Sequence, residues 1–221
     1  MGISIKGITT KIANARFSYL FFTVMLLFLL RPFLVGLTAL NIITDIFMWS
    51  ILISCVWAVH DKKRDRVTFL GLIVLFIATG LLDLFLDDPA ITWAGKIMGV
   101  IVFAYLVAAI FLYLIRQEEV TGDMIMAAAS EYILIGIMFS YMYFLLEAVY
   151  PGSFSFQGSQ GDRSSFLYFS FVTLTTTGYG DILPVSVQAR SFAIFEQITG
   201  QLFVAVLVAR LVGLYTARKQ S

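Results

Sequence analysis

The sequence predicts an all-α membrane protein with six transmembrane helices and a short re-entrant helix that runs into a non-helical loop. Three observations carry that prediction. Of 221 residues, 60% are hydrophobic and only 13% charged, whereas a soluble domain carries roughly 25% charged residues. Burying so much apolar side chain around one aqueous core would leave too little polar surface to cover it, so lipid is the fitting solvent. Apolar runs long enough for a helix to cross ~30 Å of hydrocarbon, about 20 residues each, recur along the chain. One further apolar stretch, 164–175, is too short to span and leads into a segment with two closely spaced glycines. Backbone groups in lipid must pair within their own segment, so the spans are helices. The non-helical stretch 176–181 is then tolerable only where it lines a space filled by water or ions.

The expected spans are 17–37, 41–59, 67–86, 96–116, 124–149 and 188–214. Lys6, Lys11 and Arg16 precede the first apolar run, as in a signal peptide. Arg31 and Pro32 interrupt that run, no small-x-small cleavage site follows closely, and the apolar pattern resumes at Phe33. A retained first span is the better reading, with Arg31 snorkelling or paired. The lone cysteine, Cys55, lies within the second apolar run, where it forms no intrachain disulfide and serves as a packing residue. His60 to Arg66 reads as a strongly basic loop. Placing it in the cytoplasm puts Lys6, Lys11, Arg16, Arg116, Arg218 and Lys219 there too. Arg31, Lys96 and Arg163 then fall outside, beside Asp87, Asp88 and Asp162, an asymmetry that obeys the positive-inside rule. Both termini are accordingly expected in the cytoplasm of a cell-membrane protein. The stretch 150–163 mixes turn formers without periodicity and reads as an external turret. Four parts result: a cytoplasmic segment 1–16, a four-helix peripheral domain 17–117, a linker 118–123 and a second membrane domain 124–217.

Residues 173–181 read Thr-Leu-Thr-Thr-Thr-Gly-Tyr-Gly-Asp. A dehydrated potassium ion needs a cage of oxygens in place of its hydration shell, and backbone carbonyls supply one. Successive carbonyls point the same way when the chain alternates between ordinary and left-handed conformations, which glycine reaches without a Cβ penalty. Gly178 and Gly180 supply that freedom. The carbonyls of Thr176, Thr177, Gly178 and Tyr179 would form the ion sites up to Gly180, with the Thr176 hydroxyl completing the innermost one. Tyr179 would point away and brace the loop. One chain provides a quarter of each cage, so a fourfold homotetramer is implied.

The stretch closely resembles the signature of tetrameric potassium channels, usually written Thr-Val-Gly-Tyr-Gly-Asp. The order of outer helix, turret, pore helix, filter and inner helix over 124–214 resembles that family as well. Six spans with cytoplasmic termini are similar to its six-segment branch. The resemblance implies a hinge glycine at Gly200 and a cavity-lining face of Gln201, Val204, Val208 and Val212. A valine ring there would close the pore by dewetting, unless the stripe serves lipid or helix packing. Glu147, at the external end of its span, stands where the family often ties outer helix to filter loop. There are departures. Thr177 replaces the usual valine, though its carbonyl remains. Val172 stands where several relatives carry a glutamate that braces the filter against the aspartate. Tyr168 stands in place of a tryptophan, and its hydroxyl is expected to reach Asp181 instead.

A voltage sensor needs several basic residues at every third position of its fourth segment, because the field acts on charge. Here 96–116 carries only Lys96 and Arg116, at its ends, which read as interfacial anchors, so little intrinsic voltage dependence is expected. Asp45, Asp83, Glu131, Glu147 and Glu196 are costly in lipid, and each must face a partner or water. Asp45 and Asp83 are candidates to pair with Arg31 or Lys96. His60 reads as a solvated boundary residue. The expectation is a potassium-selective channel subunit, with K⁺ in the filter, no other cofactor and no nucleic-acid partner. The alternatives are a weakly selective cation channel, against which the intact Gly178-Tyr179-Gly180 argues, and a non-conducting membrane interaction or sensor protein. An enzyme is least in keeping, since there is no metalloprotease, nucleophile-elbow or phosphate-loop motif and a single histidine. With Ser221 so close to the inner helix, the gating stimulus is expected from lipid, tension, a blocking ion, the filter or a separate partner.

Overall fold

The computed structural model describes residues 16–30, 63–86, 88–157 and 161–220, together with Trp49, Leu52 and Cys55. The elements are helices α1 (Arg16–Leu30), α2 (Lys63–Leu86), α3 (Pro89–Arg116) and α4 (Gly122–Val149), strand β1 (Phe154–Phe156), helix α5 (Arg163–Leu174), strand β2 (Ile182–Pro184) and helix α6 (Val187–Gln220). Among the described residues, four helices are long and apolar enough to cross a membrane: Arg66–Asp83, Pro89–Arg116, Gly122–Val149 and Val187–Thr216. They correspond to the third to sixth expected spans. The first span is represented by α1. Most of the second span, with Asp45, lies outside the described residues, as do Arg31, His60, Asp87 and residues 1–15.

Two helix starts differ from the sequence expectation. Helix α2 begins at Lys63, so the basic cluster Lys63–Arg66 forms the opening of a helix rather than a loop. Helix α3 begins at Pro89, not at 96. Asp88 is its N-cap, accepting a hydrogen bond from the Ala90 N–H at 2.8 Å, and Pro89 follows where a missing N–H costs nothing. Lys96 therefore sits inside the helix and not at its end. Its ammonium lies 4.2 Å from the Phe144 ring centre and 5.6 Å from that of Trp93, so aromatic faces cover the charge. Asp83, near the end of α2, is exposed and accepts the Thr92 hydroxyl of α3 at 2.5 Å.

Helix α4 is the hub. On one side it packs against α1 and α3, with α2 behind α3. Phe17, Leu20, Leu52, Phe103, Leu106, Ala127, Leu134 and Tyr141 belong to that apolar core. Gly99 lets the Tyr141 ring lie flat on α3, because a Cβ there would stand 2.3 Å from it. On the other side Ile135, Phe139 and Tyr143 pack with Phe154, Phe166, Phe169, Leu174 and Ala193 from β1, α5 and α6.

The turret is more regular than its composition suggests. Strands β1 and β2 pair antiparallel, Phe154 opposite Pro184 and Phe156 opposite Ile182. The signal is the short alternation Phe-Ser-Phe, period two, amid turn formers. Phe154 turns inward, its ring centre 5.5 Å from that of Tyr143, 5.2 Å from that of Phe166 and 5.3 Å from that of Phe169, the spacing at which aromatic pairs attract.

Candidate functional site

Helix α5 starts on Asp162, whose carboxylate accepts the Ser165 N–H at 2.9 Å and the Ser165 hydroxyl at 2.7 Å. It ends at Leu174, with Thr175 as C-cap. The carbonyls of its last turn, the negative end of the helix dipole, do not go unused. Thr176 N–H donates to Thr173 O at 2.9 Å, and Thr177 and Gly178 N–H both reach Val172 O, at 2.9 and 3.4 Å. The start of the loop hangs from the helix by its own amides.

With the amides turned back, the carbonyls face the other way. Backbone φ is 57° at Thr176, 62° at Gly178 and 81° at Gly180. Every second residue is left-handed, so the peptide planes between them are brought into a common orientation. Among the described residues, no hydrogen bond ends on the carbonyls of Thr176, Thr177, Gly178, Tyr179 or Gly180. They form a row of free acceptors. Thr176 extends the alternation beyond the two glycines, which sequence reasoning missed. A β-branched residue with positive φ is a genuine outlier, held here by the amide bonds on either side. The Thr177 side chain turns to the helix side, its hydroxyl 2.8 Å from that of Thr175, which also donates to Phe171 O at 2.7 Å.

At the outer end, the Tyr179 ring stacks on Tyr168 of α5, centroids 6.4 Å apart and planes within 4° of parallel. The Tyr168 phenol is pushed above its ordinary range, by desolvation first and then by a hydrogen bond to Asp181 and the charges of Asp181 and Tyr179. The Asp181 carbonyl accepts the Gln157 N–H at 2.9 Å, so the turret ladder continues directly to the end of the loop. Glu147 caps that turret: its two oxygens accept the N–H groups of Gly152 at 2.8 Å and Phe154 at 3.2 Å. It thus reaches the loop through the β1–β2 pairing, not directly.

Behind the loop, Tyr132 donates to Leu174 O at 3.1 Å. Ser170, Tyr143 and Glu196 meet there as well. The Tyr143 hydroxyl donates to Glu196 Oε2 at 2.5 Å, and the Ser170 hydroxyl lies within hydrogen-bond reach of Glu196 Oε1 and 2.7 Å from Gly136 O. The need for a partner at Glu196 was legible in the sequence; the identity of Tyr143 and Ser170 as its partners was not.

Helix α6 runs unbroken through Gly200. A Cβ at Gly200 would stand 2.7 Å from Leu174 Cδ1 and 2.8 Å from Leu174 O, so the glycine is where the end of α5 rests on α6. Gln201, Val204, Val208 and Val212 are all exposed in the single chain, while Phe203, Leu207, Leu211 and Leu214 are partly covered by it. Further down, the Arg210 guanidinium donates to Ile115 O and Gln117 O, both at 2.7 Å, capping the C-terminus of α3. Glu131, also fully buried, stands apart from this cluster: among the described residues neither of its carboxyl oxygens has a hydrogen-bond partner.

The residues 132–217 match the family model described as ion channel. The match begins within α4 and takes in the turret, α5, the loop and most of α6. No curated protein and no solved structure matches the chain significantly. The match over 132–217, together with four helices long and apolar enough to cross a membrane among the described residues, supports a multi-pass membrane protein with an ion channel region.

Proposed function

We propose that this channel domain conducts potassium selectively, through a filter built from Thr176, Thr177, Gly178, Tyr179 and Gly180. The observation that carries the reading is the left-handed alternation at Thr176, Gly178 and Gly180, which leaves consecutive carbonyls free and aligned. Such a row replaces the hydration shell of a large monovalent cation when several copies surround it. The Thr176 hydroxyl completes the innermost site, and Tyr168, Asp181 and Glu147 support the filter from outside.

A homotetramer follows from the chemistry, since one row of oxygens is a fraction of a cage. The exposure of α6 supports it: Ile194, Phe195, Ile198, Leu202 and Val206 are open in the single chain on a helix flanking the filter, and a fourfold neighbour together with lipid would cover them. Val204, Val208 and Val212 would then face the axis below the filter as an apolar constriction, with Gln201 nearest the filter and Gly200 as the point where α6 bends. Helix α3 carries no row of basic residues, so voltage dependence is weak, and gating comes from lipid, a partner or the filter. Both termini lie in the cytoplasm. K⁺ is the transported ion and no cofactor is needed.

The test is the reversal potential of the purified protein in a planar bilayer, potassium on one side and sodium on the other. Reversal near the potassium equilibrium value in the wild type, abolished in Gly178→Ala, is expected. A Cβ at the φ of 62° costs about 1–2 kcal/mol per chain. Real current that reverses near zero would replace this reading with a weakly selective cation pore, and absence of current under every stimulus would favour a non-conducting role.

A further inference from the structure

The contacts at Glu196 contain more hydrogen-bond acceptors than an ionised carboxylate permits. Tyr143 of α4, Ser170 of α5 and Glu196 of α6 are each fully buried, at 0% exposure. Glu196 Oε2 is 2.5 Å from the Tyr143 hydroxyl. Glu196 Oε1 is in contact with Ser170 Oγ, which is also 2.7 Å from the Gly136 carbonyl. A serine hydroxyl has one hydrogen. Given to an ionised Glu196, it leaves Ser170 Oγ and Gly136 O facing each other at hydrogen-bond distance with no hydrogen between them. The conflict disappears when Glu196 holds the proton. Its Oε1–H donates to Ser170, Ser170 donates to Gly136 O, and Tyr143 donates to Oε2. Every hydrogen then has an acceptor, and no buried charge is left without a counter-ion. Among the described residues, the hydrogen-bond partners of Glu196 are these two hydroxyls and no cation.

We infer that Glu196 carries a proton and acts as a neutral carboxylic-acid clamp that positions α5, and through it the filter. The inference rests on the channel reading for its consequence, though not for its chemistry. Ser170 lies two residues before Val172, whose carbonyl receives the amides of Thr177 and Gly178. It lies one turn before Leu174, which rests on Gly200. Fixing Ser170 between α4 and α6 therefore fixes both the point from which the filter hangs and the seat of the helix end. Val172 has no side chain able to hydrogen-bond to the filter, and the acid on the neighbouring helix supplies the directional hold from behind. Glu196 is a positioning residue, since it touches no carbonyl of the filter.

The experiment uses the full chain in lipid nanodiscs and liposomes, as wild type, Glu196→Gln and Glu196→Ala. The infrared difference between wild type and Glu196→Gln at neutral pH is expected to show the C=O stretch of one protonated carboxyl per chain. In Glu196→Gln, the amide N–H donates to Ser170 and the carbonyl accepts from Tyr143. Potassium flux and open-state lifetime should accordingly stay within about twofold of wild type, a change smaller than one net hydrogen bond is worth. Glu196→Ala leaves the buried Tyr143 hydroxyl without its acceptor, while Ser170 still donates to Gly136 O, and should shorten the open-state lifetime by about tenfold, equivalent to one buried group left unsatisfied. Absence of the acid band overturns the inference, as does a Glu196→Gln protein as impaired as Glu196→Ala, or a Glu196→Ala protein indistinguishable from wild type. Should Glu196→Ala fail to assemble, the band and the glutamine variant decide. A wild type that conducts without potassium selectivity would sink the potassium-selective reading while leaving the band, and the glutamine–alanine contrast, to judge the clamp.

Discussion

The two sides of α4 are held by different kinds of force. Toward α1 and α3 the contact is mainly apolar, made by Phe17, Leu20, Phe103, Leu106 and their neighbours, with one bond at its edge from the Phe17 N–H to Asp123 Oδ1 at 3.2 Å, and the buried Glu131 carboxyl there has no hydrogen-bond partner among the described residues. Toward α5 and α6 the same helix makes directional bonds through Tyr132, Gly136 and Tyr143. Apolar packing tolerates small slides because its energy follows buried area and not angle. A hydrogen bond weakens steeply once bent. The side that carries the proposed filter is therefore fixed in position, and the peripheral side is held chiefly in proximity. A filter whose oxygens must match an ion needs the first kind of support; a jacket of helices in lipid needs only the second.

Three substitutions break or sharpen that contrast. The largest effect is expected from Gly200→Ala, which drives a methyl into Leu174 Cδ1 and Leu174 O at under 3 Å. Overpacking of this kind costs about 1–3 kcal/mol, and here it displaces the helix end from which the filter starts. Loss of selective current with retained membrane insertion is the expected result, read as reversal potential and current per channel. Unaltered selectivity would mean that α5 and α6 yield to each other as softly as the peripheral helices do.

Tyr132→Phe is milder. It removes the hydroxyl that donates to Leu174 O at 3.1 Å and keeps the ring against Phe203. One net hydrogen bond is worth about 0.5–1.5 kcal/mol, so open-state lifetime in single-channel records should fall severalfold while thermal stability barely moves. An equal fall in both would show that the bond merely packs the fold.

The smallest effect on conduction belongs to Glu131→Leu. Removing a buried carboxyl whose two oxygens have no partner among the described residues should raise thermal stability by about 1 kcal/mol or more and leave the reversal potential where it was. If selectivity shifts instead, the peripheral side is coupled to the filter, and the division drawn across α4 is wrong.

Sequence alone determined the membrane setting, the position of the spans from the third onward and the location of the loop. These follow from run length, charge placement and the Gly178–Gly180 spacing, all of them local or compositional quantities. It also marked Glu131, Glu147 and Glu196 as needing partners, because a carboxyl amid apolar residues is costly wherever it lies. Where α3 begins was readable only in part, since hydropathy does not register an Asp-Pro cap. What tertiary structure alone decided is which need was met, and by what. Tyr143 and Ser170 lie 53 and 26 residues from Glu196, Gln157 reaches Asp181 across the turret, and Arg210 finds carbonyls more than 90 residues away. The left-handed φ of Thr176 belongs to the same class: nothing in a threonine asks for it, and the amides turned back onto α5 impose it. Such partners are set by the three-dimensional crossing of helices, and a hydrogen bond's dependence on distance and angle makes them invisible until the crossing is known.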